Sequence, residues 1–224
     1  MENFYVYIFI LLCFIVAVSY FNTYMCSYIE SFNSDKQSFV LLGDSILKND
    51  AYVSDGKSVE NLLVEGTNNK TTCLAIDHSK IVDIYSQVDK IPQDLNSNST
   101  TVFLSAGGND ILTHYVDQGN DSTDTSILGT MFGSYKKLIK SIKKKLPNAN
   151  IVLLDIYYPN NMTYKQYHSI ITSWNQMVYE YASKNGVNVL KISGILTQPD
   201  DFSFGIEPSS IGSQKLVDAI MSSY

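Results

Sequence analysis

Five short apolar runs, each followed by a stretch with helical spacing, constrain this chain more than any other feature. The runs lie at 38–42, 72–76, 101–105, 150–155 and 187–191; helical stretches lie near 57–64, 79–90, 128–146 and 164–185, with a last one near 210–222. Ile81, Ile84, Tyr85 and Val88 keep helical spacing, as do Ile170, Trp174, Val178 and Tyr181. Strands that alternate with helices imply a parallel sheet, because successive parallel strands need a crossover, and right-handed crossovers cover both faces with helices. The expected class is therefore α/β.

Chemistry in such sheets collects at the carboxyl edge of the strands, so the residues that follow each run carry the functional signal. Gly43-Asp44-Ser45 follows Phe39–Leu42, and Ser105-Ala106-Gly107-Gly108-Asn109-Asp110 follows Thr101–Leu104. A third block, Gly205-Ile206-Glu207-Pro208-Ser209-Ser210-Ile211-Gly212, precedes the last helical stretch. Ester hydrolysis needs a nucleophile, a proton acceptor and donors aimed at the oxygen that becomes negative. Ser45 fits the nucleophile. Gly107 and Gly108 allow a tight turn that presents Asn109. Taken singly, a Gly-Asp-Ser triplet or a GGND stretch also makes an ordinary turn.

In this order and setting the blocks resemble those of the SGNH (GDSL) hydrolase superfamily of esterases, lipases and thioesterases, over about Ser38 to Tyr224. The resemblance implies a three-layer α/β/α sandwich with a flavodoxin-like parallel sheet. It also implies an oxyanion hole made by the Ser45 N–H, the Asn109 side chain and a backbone N–H of the second block. That block matches Leu74-Ala75-Ile76-Asp77-His78-Ser79, with His78 where the family has glycine. Gly43, Asp44, Gly107 and Gly108 become binding-site positions, and the substrate becomes a small ester or acylated molecule.

The last block departs from the family. Its Asp-x-x-His-Pro pattern reads Phe204-Gly205-Ile206-Glu207-Pro208 here, so the usual histidine base and orienting aspartate are both replaced. Glu207 can replace the base: a carboxylate has no tautomer to fix, so losing the aspartate with the histidine is coherent. A free glutamate, with a pKa of about 4.3, is a weaker base than imidazole, and desolvation beside Phe204 would offset part of that deficit. His78 is the alternative base, followed by His114, with His168 expected on an exposed helix face. The competing reading is an inactive domain that keeps the pocket to bind an acyl or glycan ligand.

Phe4 to Phe21 is an almost unbroken apolar run of eighteen residues. As a helix it spans roughly 27 Å, near the hydrocarbon thickness of a bilayer. Expected boundaries are a signal-anchor or transmembrane segment at 1–22, a juxtamembrane linker at 23–37 and the hydrolase-like domain at 38–224. A signal peptide cleaved after Ala17-Val18-Ser19 is the rival, although Glu2 is the only charge before the run. Sequons at Asn69, Asn98, Asn120 and Asn161 lean toward a lumenal or extracellular domain. Cys26 and Cys73 could pair there, or stay as free thiols.

The net charge of −6 gives no reason to expect nucleic-acid binding, and all 16 basic residues are lysines. Six of these, at Lys136, Lys137, Lys140 and Lys143 to Lys145, read as the wet face of a helix whose buried stripe is Leu138, Ile139, Ile142 and Leu146. No residue cluster has metal-ligand spacing, and no cofactor is expected. Oligomeric state is not legible.

Overall fold

Strands β1 (Ser38–Leu42), β2 (Thr71–Cys73), β3 (Thr100–Leu104), β4 (Asn150–Leu154) and β5 (Asn188–Leu190) form one sheet in the order β2-β1-β3-β4-β5. Every pairing is parallel. The structure is a computed structural model that describes residues 14–22, 37–119, 121 and 125–224. Residues 14–22 are helical. The rest of the expected membrane-spanning stretch, the linker at 23–36, Cys26 and Asn120 lie outside the described residues. Among those described, no helix is long and apolar enough to cross a membrane.

Side-chain alternation along the strands divides the core in two. On β1, Val40 and Leu42 face one side, where α2 (Ile84–Asp89), α4 (Ser126–Lys145) and α5 (His168–Asn185) pack. Phe39 and Leu41 face the other, covered by α1 (Val59–Gly66) and α6 (Ser210–Ser223). This is the expected three-layer α/β/α sandwich. Burying a Leu or Phe side chain is worth about 1.5–3 kcal/mol, so the two apolar faces supply the main driving force. The lysines of α4 at 136, 137, 140, 143 and 144 are exposed, opposite its buried stripe.

Helix ends follow their sequence signals. Ser58 caps α1 by accepting from Asn61 N at 3.1 Å, and Ser209 caps α6 by accepting from Ile211 N and Gly212 N at 3.2 Å each. Gly186 ends α5 in the left-handed conformation. Strand β2 is shorter than its apolar run. Past Cys73, Leu74 N still bonds to β1 at Leu41 O (2.9 Å), and Ile76 N bonds to Gly43 O just beyond it (3.0 Å). The 79–90 stretch is helical only from Ile84, and the 164–185 stretch begins as a tighter 3-10 turn, Met162–Tyr167.

Strand order reverses direction at β1/β3: the chain leaves β1 toward β2 and leaves β3 toward β4. The loops after β1 and β3 therefore diverge over a crevice at the carboxyl edge, the usual ligand position in such sheets.

Candidate active site

The first loop is held by its glycine. Gly43 has φ +139°, and a Cβ there would lie 2.1 Å from the Ser105 carbonyl oxygen, so only glycine lets the β1 and β3 loops touch. Gln87 of α2, fully buried, clamps the same residue: it accepts from Gly43 N and donates to Gly43 O, each at 2.8 Å. Asp44 turns inward, where its Oδ1 accepts from Ser105 Oγ at 2.7 Å and Ile46 N at 3.2 Å. Burial pushes the Asp44 carboxyl up to about 6, although the Ser105 and Ile46 bonds pull the other way. Ser45 is 6% exposed, and its N–H has no protein acceptor among the described residues.

The second loop opens α3 (Gly108–Ile111). Gly107 has φ +106°, and a Cβ there would lie 2.3 Å from the Trp174 ring. The backbone thus runs directly over Trp174 before presenting Asn109. One N–H of the Asn109 amide donates to Ser79 O at 3.0 Å, which fixes the amide plane and leaves the second N–H free to point elsewhere.

Glu207 lies on a small hairpin. Strands β6 (Phe202–Ser203) and β7 (Glu207–Pro208) pair antiparallel, with Ser203 opposite Glu207. Phe204 and Gly205 make the turn with φ of +53° and +75°. Three contacts locate the hairpin. Asn49 Nδ2 donates to Pro208 O at 3.0 Å, Tyr157 Oη donates to Ile206 O, and Gly205 packs on Asn161.

Ser45, Asn109 and Glu207 line one cleft, together with Asp44, Ser105 and Gly108. The Ser45 hydroxyl is close enough to the Glu207 carboxyl to influence its ionisation. Among the described residues, Glu207 Oε2 is buried without a hydrogen-bond partner. Burial is the largest influence on this carboxyl; the Ser45 hydroxyl and His78 lower its pKa, Asp44 and Asp77 raise it, and the outcome is about 7. The burial does not come from Phe204 as expected, because that side chain is 80% exposed and rests edge-on against Tyr52. Tyr157, 5% exposed in the same cleft, closes that side instead.

His78 lies outside the cleft lining. Its φ of +60° is the left-handed conformation that suits the glycine it replaces. The ring is 80% exposed, with Nε2 3.5 Å from Asp77 Oδ2, and the His78 N–H donates to Asp77 Oδ1 at 2.8 Å. His114 stands edge-on to Tyr115, and His168 Nε2 lies 3.3 Å from Pro159 O. His168 is half-buried rather than exposed.

Sequence reasoning missed the residues that support this site. Gln87 and Asn49 look like ordinary polar positions, as does Asn175, which brackets Ile156 by accepting from its N–H at 2.8 Å and donating to its carbonyl at 2.7 Å. Their partners lie far away in sequence, so no local pattern marks them. Cys73 is a free thiol, and burial pushes it up to about 12.

With this geometry described, comparison with known proteins is direct. The sequence model of the GDSL-like lipase/acylhydrolase family matches residues 41–215. No curated protein matches the sequence. Among solved structures, a lipolytic protein of the G-D-S-L family from Veillonella parvula is similar at TM-score 0.65 and 16% identity, covering 84% of this chain and 98% of that one. Phospholipase A1 from Streptomyces albidoflavus gives TM-score 0.62 and 16% identity, over 84% of this chain and 99% of its own. A lipase from a goat rumen metagenome gives 0.66 and 14%, over 83% and 96%. At these identities the likeness concerns the fold.

Proposed function

The chain belongs to the GDSL-like lipase/acylhydrolase family, a family of hydrolases, and from that premise we propose that it is a serine ester hydrolase with Ser45 as nucleophile and Glu207 as general base. The observation that carries this reading is that Ser45, Asn109 and Glu207 line one cleft, where the Ser45 hydroxyl acts on a buried carboxyl raised to about 7. A base works best when its pKa lies near the working pH, because it is then both ionised and basic enough. Burial supplies that shift, so Glu207 needs no aspartate behind it.

In the proposed mechanism, Glu207 takes the proton from Ser45 Oγ as Oγ attacks the ester carbonyl carbon. The new C–O bond places negative charge on the carbonyl oxygen, which the Ser45 N–H and the free N–H of Asn109 stabilise. The proton passes from Glu207 to the departing alkoxide as the ester C–O bond breaks, leaving an acyl-serine. Water then repeats the sequence: Glu207 accepts its proton, the hydroxide attacks the acyl carbon, and the proton returns to Ser45 Oγ. The Ser105–Asp44 bond and the Gln87 clamp hold the loop that carries the nucleophile.

The apolar 4–21 stretch acts as a membrane tether in this proposal, supported by its length and lack of charge. The four sequons favour a lumenal or outer domain.

Covalent labelling tests the reading. A fluorophosphonate should modify Ser45 in the parent and fail in Ser45→Ala, and Ser45→Ala should lose hydrolysis of p-nitrophenyl esters while keeping its fold. Equal hydrolysis by the two proteins would remove Ser45 from the chemistry.

A further inference from the structure

Resting on the reading above, we infer that the cleft takes an uncharged acyl chain of several carbons, and that Val116 and Tyr167 set how long that chain can be. From Ser45 and Asn109 the cleft continues between two walls. On one side α3 runs into a π-helical turn, Leu112–Asp117, which places Leu112 and Val116 in the lining. Tyr164, Tyr167 and Ile171 from the 3-10 turn and α5 form the other side. The Tyr167 hydroxyl donates to the Tyr115 carbonyl at 3.3 Å, tying the two walls together and giving the cleft a fixed breadth. π-helical turns are rare and recur at functional sites, because the extra residue redirects side chains and leaves carbonyls open to outside donors.

The chemistry of the lining selects the ligand. Among the described residues no lysine or histidine lines the cleft, and the chain has no arginine, so none of that lining neutralises a phosphate, sulfate or carboxylate. Asp155, another carboxylate of the lining, already accepts from Ser193 N at 2.9 Å, Ser193 Oγ at 2.5 Å and the Tyr179 hydroxyl. Its hydrogen-bonding capacity is largely used by its own fold. A sugar ring with many hydroxyls would leave them unpaired against Ile, Leu, Val and Tyr surface, at a cost for each buried hydroxyl. An alkyl chain loses nothing on entering that surface and gains with each buried methylene.

The test is a series of p-nitrophenyl esters from acetate to dodecanoate, with the full chain in one detergent. The kcat/KM should rise by about twofold to fourfold per methylene and then fall once the chain exceeds the cleft. Val116→Trp should lower the octanoate-to-acetate ratio by at least about tenfold, the worth of a few methylenes. Tyr167→Ala should move the optimum to a longer chain. A flat series, a preference for acetate, or a ratio untouched by Val116→Trp would overturn the acyl-chain reading while leaving Ser45 in place. Should no ester be hydrolysed, the Ser45 reading fails, and binding decides the cleft separately. Ser45→Ala should then bind a methyl ketone of decanoyl length more tightly than Ser45→Ala/Val116→Trp in the same detergent; equal binding would overturn the inference.

Discussion

The side-chain amide of Asn49 donates to the Pro208 carbonyl at 3.0 Å, joining the segment after Ser45 to the strand that carries Glu207. The same fully buried side chain donates to Ser213 Oγ at 2.7 Å and accepts from Val59 N at 2.9 Å. Three elements that meet only in the folded state thus share one amide. Asn49→Leu leaves their polar groups buried and unpaired, so it should cost about 2–4 kcal/mol in urea unfolding. Turnover should also fall in the folded fraction, because Glu207 loses the bond that positions its strand.

Gly107→Ala should be costly although it adds one methyl group. The new Cβ would meet Trp174 at 2.3 Å, and φ of +106° strains any side chain. A loss of about 2–4 kcal/mol is expected. Trp174 is the only tryptophan, so its emission spectrum reports the displaced ring directly.

The raised Glu207 carboxyl makes a prediction about stability with a definite sign. Its folded pKa of about 7 exceeds the ordinary 4.5, so ionisation is harder in the folded state. Its contribution to stability is therefore greatest below the ordinary value and is lost as pH rises from there through the folded value. Asp44, raised to about 6, acts in the same direction. Glu207→Gln should consequently be more stable than the parent at pH 8, by about 1–2 kcal/mol after allowance for solvent screening, and the gap should close toward pH 4. Thermal unfolding across that range checks it.

The N-terminal stretch should keep the full chain in membranes through an alkaline carbonate wash. A mature N-terminus at Tyr20, read by mass spectrometry, would establish a cleaved signal peptide instead.

Much of this architecture was legible because it is written locally. Phe39–Leu42 and Thr101–Leu104 are apolar runs long enough only for buried strands, and the glycines that follow them mark the loops of the site. The Glu207 position was legible from its place before the last helix. Its desolvation was expected too, but not the source, since Phe204 turns outward and the cover comes from Tyr157 on another element. The π-helical turn after Asn109 gives no periodic signal that separates it from an ordinary helix end. Gln87, Asn49 and Asn175 act through contacts distant in sequence, where single-residue chemistry says nothing about partners.

The central claim is that Glu207 draws the proton from Ser45. The most direct measurement is the rate at which a fluorophosphonate modifies Ser45 as a function of pH, in the parent, Glu207→Gln and His78→Ala. A carboxyl must be ionised to accept the proton, so the parent rate should rise with pH through an apparent pKa near the raised value of about 7. Glu207→Gln should react about 10²–10⁴-fold more slowly, and His78→Ala should stay within a small factor of the parent. A Glu207→Gln variant that is labelled as fast as the parent, with the same pH dependence, would contradict the account.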